Sequence, residues 1–295
     1  MDMEYIKQNA VGNGKCGENL CWYFLEGTLL ISGTGAIILS ENMENWEKTF
    51  INEFFVQEYP IYRPWQAYIE SIKAVVVEEG CTCIPMGCFF GHNCLSTISL
   101  PNSIKRIEDY TFAESGLLAI DIPRSVTEIG YRAFYYCNEL KSVSIPESVT
   151  VIDSFAFYGS GIVTVTVPNS VTRINAAAFS YCTSLQEIVL SQNLSRIGLS
   201  LFDGCVLLER VIIPETVCEI GDSAFLHCSN LREVTIPKSV TKIGSHAFCE
   251  CWKIYLLRIP DTVTEIDFCA FDGIPHIIYH GPAKSENNWG ARKRN

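Results

Sequence analysis

The chain has 295 residues, 48% of them hydrophobic and 19% charged, with a formal net charge of −11. That composition supports a packed core and excludes a disordered chain. The acidic balance gives no electrostatic drive toward phosphate backbones, so nucleic acid is not an expected partner. The basic tail Arg292, Lys293 and Arg294 is too short to change this. No apolar run reaches the roughly 18 residues of a spanning helix, so no membrane span is expected. The opening MDMEYIKQNA lacks a basic stretch followed by an apolar one, and no secretory signal is expected in it.

In chain order, residues 1–11 are expected to form a loose end. Residues 16–33, CGENLCWYFLEGTLLISG, read as a hairpin. Asn19–Leu25 and Thr28–Ser32 are rich in β-formers, and Glu26-Gly27 supplies the turn. A helix is expected at about 41–57, with Ser40 as N-cap and Glu41 and Glu44 in its first turn. Met43, Trp46, Phe50 and Phe54 fall on one apolar face; Trp46, Phe50 and Phe54 read as packing on the first coil of the repeats that follow, with a ligand groove as the alternative. Pro60 and Pro64 then interrupt the chain. Residues 1–70 are thus assigned to an N-terminal cap of hairpin and helix.

From Ser71 the sequence repeats every 22 or 23 residues. Phenylalanine marks the period at 89, 112, 134, 157, 179, 202, 225, 248 and 271. Proline marks it again at 101, 123, 146, 168, 214, 237 and 260, with Ser191 in the missing place. Such self-similarity means a solenoid. The stretch IPKSVTKIGSHAFCEC at 236–251 shows the parts of one coil best.

In the preceding strand, Leu231, Val234 and Ile236 point inward and Glu233 and Thr235 outward, because side chains alternate along a strand. Pro237 has no N–H to donate and ends the strand. A hydroxyl or Asn follows, suited to bonding corner backbone. Val240 and Ile243 form a second inward pair. The next residue is Gly130, Asp153, Asn175, Gly198, Gly221, Gly244 or Asp267 along the series, and a left-handed corner is expected there. Ala247, Phe248 and Cys251 turn inward and close the coil. No coil can bury these side chains alone. Stacked coils bury them, with parallel strands about 4.8 Å apart.

The fold class is therefore a β-rich leucine-rich-repeat solenoid of about nine coils with a parallel β-sheet, over residues 71–281, after the small hairpin-and-helix cap. Residues 282–295 are a tail in which Trp289 is a candidate lid.

Five of the fourteen cysteines, Cys137, Cys182, Cys205, Cys228 and Cys251, share one repeat position. They are expected to form an inward ladder of small apolar side chains. Disulfides or a metal site are the alternatives. Cys81, Cys83, Cys88, His92 and Cys94 would suggest zinc in isolation. The register instead places Cys81, Cys88 and His92 at core positions, and the remaining pair has no metal-ligand spacing. The group Cys249, Cys251 and Cys269 is weaker still. No metal or other cofactor is expected.

No catalytic set emerges either. The histidines have no nucleophile at fixed spacing, the serines are corner residues, and G-x-S-x-G, Walker and H-E-x-x-H motifs are missing. The chain is not expected to be an enzyme.

Two groups remain as candidate protein-binding residues. The outward strand positions carry Glu187, Arg210 and Glu233 on successive coils, with Arg258 further on. They read either as sheet charge pairing or as a recognition strip. Tyr135, Tyr136, Tyr158 and Tyr181 flank the Phe positions of three successive coils. They read either as packing over the turns or as interface anchors.

The repeat I-P-x-S-V-T-x-I-G-x-x-A-F-x-x-C resembles that of the BspA-like leucine-rich repeat family over roughly 72–280. CGENLCWYFLEGTLLISGTGAI and the RPW at 63–65 resemble the N-terminal segment common in bacterial members. Ile278-Tyr279-His280-Gly281 and Trp289 resemble the segment that often follows their last repeat. The resemblance implies a non-enzymatic surface or secreted protein that binds other proteins, in some members host matrix proteins. A monomer at the cell surface or outside the cell, with a host or extracellular matrix protein as partner, is the expectation it carries. The alternative is a purely structural spacer or stalk of a larger surface protein.

Overall fold

The computed structural model describes residues 2–39, 63–283 and 289. The helix expected at about 41–57, with Met43, Trp46, Phe50 and Phe54, lies outside the described residues.

The N-terminal hairpin forms as the sequence suggests. Strands β1 (Gly12–Lys15), β2 (Asn19–Leu25) and β3 (Thr28–Ala36) make an antiparallel meander. Glu26 and Gly27 both have positive φ, 47° and 82°, the backbone that a two-residue primed hairpin turn requires. Where a loose end is expected at 1–11, the described residues from Asp2 onward form a helix that leads into β1. Helix α1 (Met3–Asn9) is capped by the Asp2 carboxylate, which accepts from the Glu4 N–H at 3.2 Å. A helix of 7 residues has little stability of its own. Tertiary contact supplies the rest: Ile6 is buried against Leu25 and Leu30, with Tyr23 and Val76 beside them. Lys7 reaches Glu78 at 3.3 Å. Val76 is thus partly covered by α1.

Strand β3 pairs in parallel with the first repeat strand, β4 (Ala74–Val77), matching Thr28 to Ala74 through Ile31 to Val77. It also pairs with β5 (Cys81–Cys83). The cap therefore starts the same sheet that the repeats continue through β6 (Thr97–Ser99). Beyond it, three-residue strands recur at 119–121, 142–144, 164–166, 187–189, 210–212, 233–235, 256–258 and 276–278. Most show the exposed–buried–exposed pattern that alternation dictates. Two-residue strands from 106–107 to 265–266 build a second parallel ladder on the other side. That ladder comes as two four-stranded pieces, broken between Arg173–Ile174 and Arg196–Ile197. The break coincides with two exposed arginines on adjacent coils.

The left-handed corners lie elsewhere than expected. Gly130, Gly198, Gly221 and Gly244 are not among the positive-φ residues. Positive φ instead occurs two residues later, at Tyr110, Arg132, Phe155, Ala177, Ser200, Ser223, His246 and Cys269. It occurs again at Glu114, Tyr136, Gly159, Tyr181, Gly204, His227, Glu250 and Gly273. These residues turn their N–H groups along the stack. Arg132 and Tyr136 donate to the carbonyls of Ser154 and Tyr158 in the next coil at 3.1 and 2.8 Å. Inter-coil hydrogen bonds thus hold non-glycine residues in a conformation they otherwise disfavour.

Glycine at 130 and 244 answers a different need. Asp109 and Asp222 accept hydrogen bonds from Tyr131 and Ser245 in the following coil, at 2.9 and 2.8 Å. A Cβ at Gly130 or Gly244 would stand 2.5 or 2.3 Å from those carboxylate oxygens.

The core is one continuous cluster from Cys16 to Ile274. Its axis is the phenylalanine column. Every marker Phe is fully buried, and successive rings stack with centroids 5.0 to 6.1 Å apart. Beside it runs the cysteine ladder. Cys137, Cys182, Cys205, Cys228 and Cys251 are wholly buried, and each thiol donates to a Phe carbonyl one coil back, at 2.9 to 3.1 Å. Ser115 and Ser160 occupy the same column and touch Cys137 and Cys182 at 3.5 and 3.3 Å. His92 heads the column, fully buried.

Both ends of the column are covered. Trp65 stacks on Phe89 at 6.0 Å. Buried Arg63 donates to the carbonyls of Cys88, Gly87 and Phe90 at 2.6, 3.1 and 2.8 Å. Burial lowers its pKa to about 10. At the far end Phe271 N–H donates to the Trp289 carbonyl at 2.8 Å, and Trp289 packs on Tyr279 at 5.5 Å. Trp289 therefore closes the last coil.

Candidate binding surfaces

Most letters of the repeat are consumed by the stack, so chemistry can sit only in the positions that vary. The turns that close each coil carry the richest set. The structure brings the four candidate tyrosines together. Tyr135 lies 4.5 Å from Tyr136 and 5.1 Å from Tyr158, centroid to centroid. Tyr136 lies 5.5 Å from Tyr158, and Tyr158 5.4 Å from Tyr181. Tyr136 and Tyr181 are 41% and 44% exposed; Tyr135 and Tyr158 are half-buried.

The glycines of the adjoining coils make this possible. A Cβ at Gly159 would meet the Tyr136 ring at 2.6 Å, and one at Gly204 would meet the Tyr181 ring at 3.0 Å. Each exposed tyrosine thus lies across a bare backbone. Burial raises the pKa values of Tyr135 and Tyr158, so their hydroxyls stay protonated donors.

Sequence reading missed the residue at the centre of this group. Arg132 stands among Tyr110, Tyr131, Tyr135 and Phe155, its guanidinium carbon 4.7 to 5.7 Å from the four ring centroids. The rings come from three successive coils, 22 or 23 residues apart in the chain. The only signal available in the sequence was the pairing of aromatic residues at that period.

The charged strand positions form a second surface, on the sheet face. Glu187 and Arg210 are register partners, and their side chains approach to 3.6 Å. Arg210 is also opposite Glu233. Arg232 and Glu209 pair at 4.0 Å beside them. All are well exposed, so each pair contributes at most a few tenths of a kcal/mol up to about 1. Arg258 stands apart, opposite Ile278 near the end of the stack.

Burial pushes the Cys16 and Cys81 thiols up to about 12 and 11, away from the thiolate that metals and electrophiles require. His92 is held neutral, its pKa lowered to about 3 by burial and then by the Arg63 charge. Among the described residues no three His, Cys, Asp or Glu side chains are placed to hold a metal ion.

The family model for the BspA type leucine rich repeat region matches residues 66–182 and 151–277, in six copies. The chain belongs to the BspA type leucine-rich repeat family. Among solved structures it is similar to the pneumococcal vaccine antigen PcpA, at 16% identity and a TM-score of 0.50, over 92% of this chain and 88% of that one. It is also similar to a leucine-rich repeat protein from Eubacterium ventriosum (17% identity, TM-score 0.43, 96% and 98% covered). A third is a leucine-rich repeat protein from Bacteroides ovatus (21%, 0.43, 90% and 88%). No curated protein matches the chain. At these identities the likeness concerns the fold. Leucine-rich-repeat solenoids are typically binding scaffolds rather than enzymes, and no described helix is long and apolar enough to cross a membrane.

Proposed function

We propose that the protein is a non-enzymatic interaction scaffold, a surface or secreted protein of adhesin type, and that it binds a host or extracellular matrix protein through its closing turns. The observation that supports this is the tyrosine group. Four tyrosines from three coils pack with ring centroids 4.5 to 5.5 Å apart on a repeat frame, and two present ring surface to solvent. Rigid amphipathic rings lose little entropy on binding and are the commonest anchors of protein interfaces. The strand-face charges are the weaker candidate, because Glu187 and Arg210, and Glu209 and Arg232, already pair with each other.

The test is a panel of purified extracellular matrix and cell-surface proteins measured by biolayer interferometry against the immobilised chain. A Tyr136→Ala/Tyr181→Ala variant is compared with an Arg210→Ala/Arg258→Ala variant. The tyrosine variant is expected to weaken binding by about 10-fold or more, since interface anchors each contribute on the order of 1–2 kcal/mol or more. The strand-face variant should change it less than about 3-fold, as exposed pairs contribute little. No binding anywhere on the panel would favour the spacer reading instead.

A further inference from the structure

Arg132 is held neither by carboxylates, as Arg106 is, nor by a set of backbone carbonyls, as Arg63 is. Arg106, in the coil before, engages Glu108, Asp109 and Glu128. Arg132 has four aromatic rings around it, and among the described residues no carboxylate lies within ion-pair distance. A guanidinium carries five N–H donors and no acceptor. One bond is made, from Nη1 to the Tyr110 hydroxyl at 3.2 Å. Nε is buried without a partner. In a chain with 33 acidic and 22 basic residues, an arginine held this way has spare donors and an uncompensated charge.

The rings also change what the charge can do. They displace water from the faces of the guanidinium, so an anion at its edge is attracted more strongly than at an open surface. They fix its orientation, so little side-chain entropy is lost on pairing. Glu114 stands in the coil before, next to Tyr135, and burial raises its pKa. A single caged arginine suits a ligand with a single carboxylate. It does not suit a polyanion, which needs a run of cations and would be repelled by a net charge of −11.

We propose that the Arg132 cage is the anchor of the tyrosine surface and receives an aspartate or glutamate side chain from a peptide segment of the partner. The carboxylate pairs with the open edge of the guanidinium. Apolar or aromatic neighbours in the peptide lie on the exposed faces of Tyr136 and Tyr181. This rests on the scaffold reading above and adds the chemistry that the partner must supply.

The experiment selects a phage-displayed random-peptide library against the full chain. Individual synthetic peptides are then titrated calorimetrically against the wild type, Arg132→Gln, Arg132→Lys and Tyr136→Ala/Tyr181→Ala. The selected peptides are expected to share an acidic residue next to apolar ones. Changing that acid to its amide should weaken binding to the wild type about 10- to 100-fold, the worth of a hydrogen bond to a charged group. Arg132→Gln should lose as much, and Arg132→Lys less. The peptide-side change needs no altered protein, so it decides the matter even where an Arg132 variant folds poorly.

Peptides without a shared acid, or acid and amide forms that bind equally, overturn the anchor. If the tyrosine variant still loses binding in that case, the scaffold reading stands and only the carboxylate falls. If the tyrosine variant binds normally, or no peptide is selected, both fail. Binding confined to sialylated or uronic-acid oligosaccharides on a parallel array would also overturn the anchor.

Discussion

Replacing Phe179 by alanine tests how the stack is held together. Its ring is fully buried in a central coil, 5.3 Å from Phe157 on one side and 6.1 Å from Phe202 on the other. Its carbonyl accepts the Cys205 thiol at 3.1 Å, and its N–H donates to Leu201 at 3.2 Å, so the backbone is tied to the following coil on both counts. Neighbouring rings cannot move in to fill the hole, because each is stacked on its own far side. Truncation of a buried Phe costs about 3–5 kcal/mol. Loss of two ring pairs, at about 0.5–1.5 kcal/mol each, places this site toward the upper end. Urea unfolding followed by far-UV circular dichroism and tryptophan fluorescence measures it. A fall in slope alongside the midpoint would mean that the two halves of the stack uncouple, as a one-dimensional array allows. A loss below about 1 kcal/mol would refute a phenylalanine column as the axis of the core.

Other expectations follow from single positions. Gly244→Ala should destabilise by about 1–3 kcal/mol, as an overpacked site does, because its Cβ would stand 2.6 Å from the Asp222 nitrogen as well as against the carboxylate. Gly198→Ala, in the same column but with its nearest contact at 3.5 Å, should be neutral or stabilising by up to about 1 kcal/mol. Equal losses in thermal melts would contradict the crowding argument.

His92 is neutral in the folded chain, its pKa lowered from 6.5 to about 3, whereas the unfolded chain takes up a proton below 6.5. Its contribution is therefore intact above pH 6.5 and is lost as pH falls toward 3, amounting to about 2 kcal/mol at pH 5. His92→Ser, copying Ser115 and Ser160 of the same column, should remove that part of the pH dependence. An unchanged pH profile would contradict it. Ellman's reagent should label Cys94 and Cys218, the two exposed thiols, well before the nine buried ones. Labelling of the ladder in the folded state, or a sharp drop in melting temperature with dithiothreitol, would contradict buried free thiols.

The repeat made much of the fold legible. The Phe period, the alternation in LREVTI and the placing of Cys251 each follow from a side chain that must be buried by its neighbours, and that constraint is local enough to read. What escaped depends on contacts between distant letters. Helix α1 is short, and Ile6 holds it only because Leu25, Leu30 and Val76 lie beneath. The glycine column reads in sequence as left-handed corners, yet Gly130 and Gly244 are small to admit an aspartate from the coil before. Left-handed backbone at Arg132 or Phe155 carries no residue signature, since the hydrogen bonds that their N–H groups donate to the next coil impose it. The tyrosine cluster could be inferred from spacing, whereas Arg132 looked like one more variable letter until three coils closed around it.

If recognition resides in the variable turn positions while the repeated letters build the stack, one experiment separates the two sets. The chain is displayed on yeast as a full single-substitution library and sorted twice, for protease resistance and for binding to a peptide selected as above. Losses at the Phe, Cys and strand-core positions are expected in both sorts. Losses at Arg132, Tyr136 and Tyr181 are expected in the binding sort with protease resistance kept. Binding-specific losses that fall instead on Glu187, Arg210 and Glu233, or nowhere, would contradict the turn surface as the seat of function.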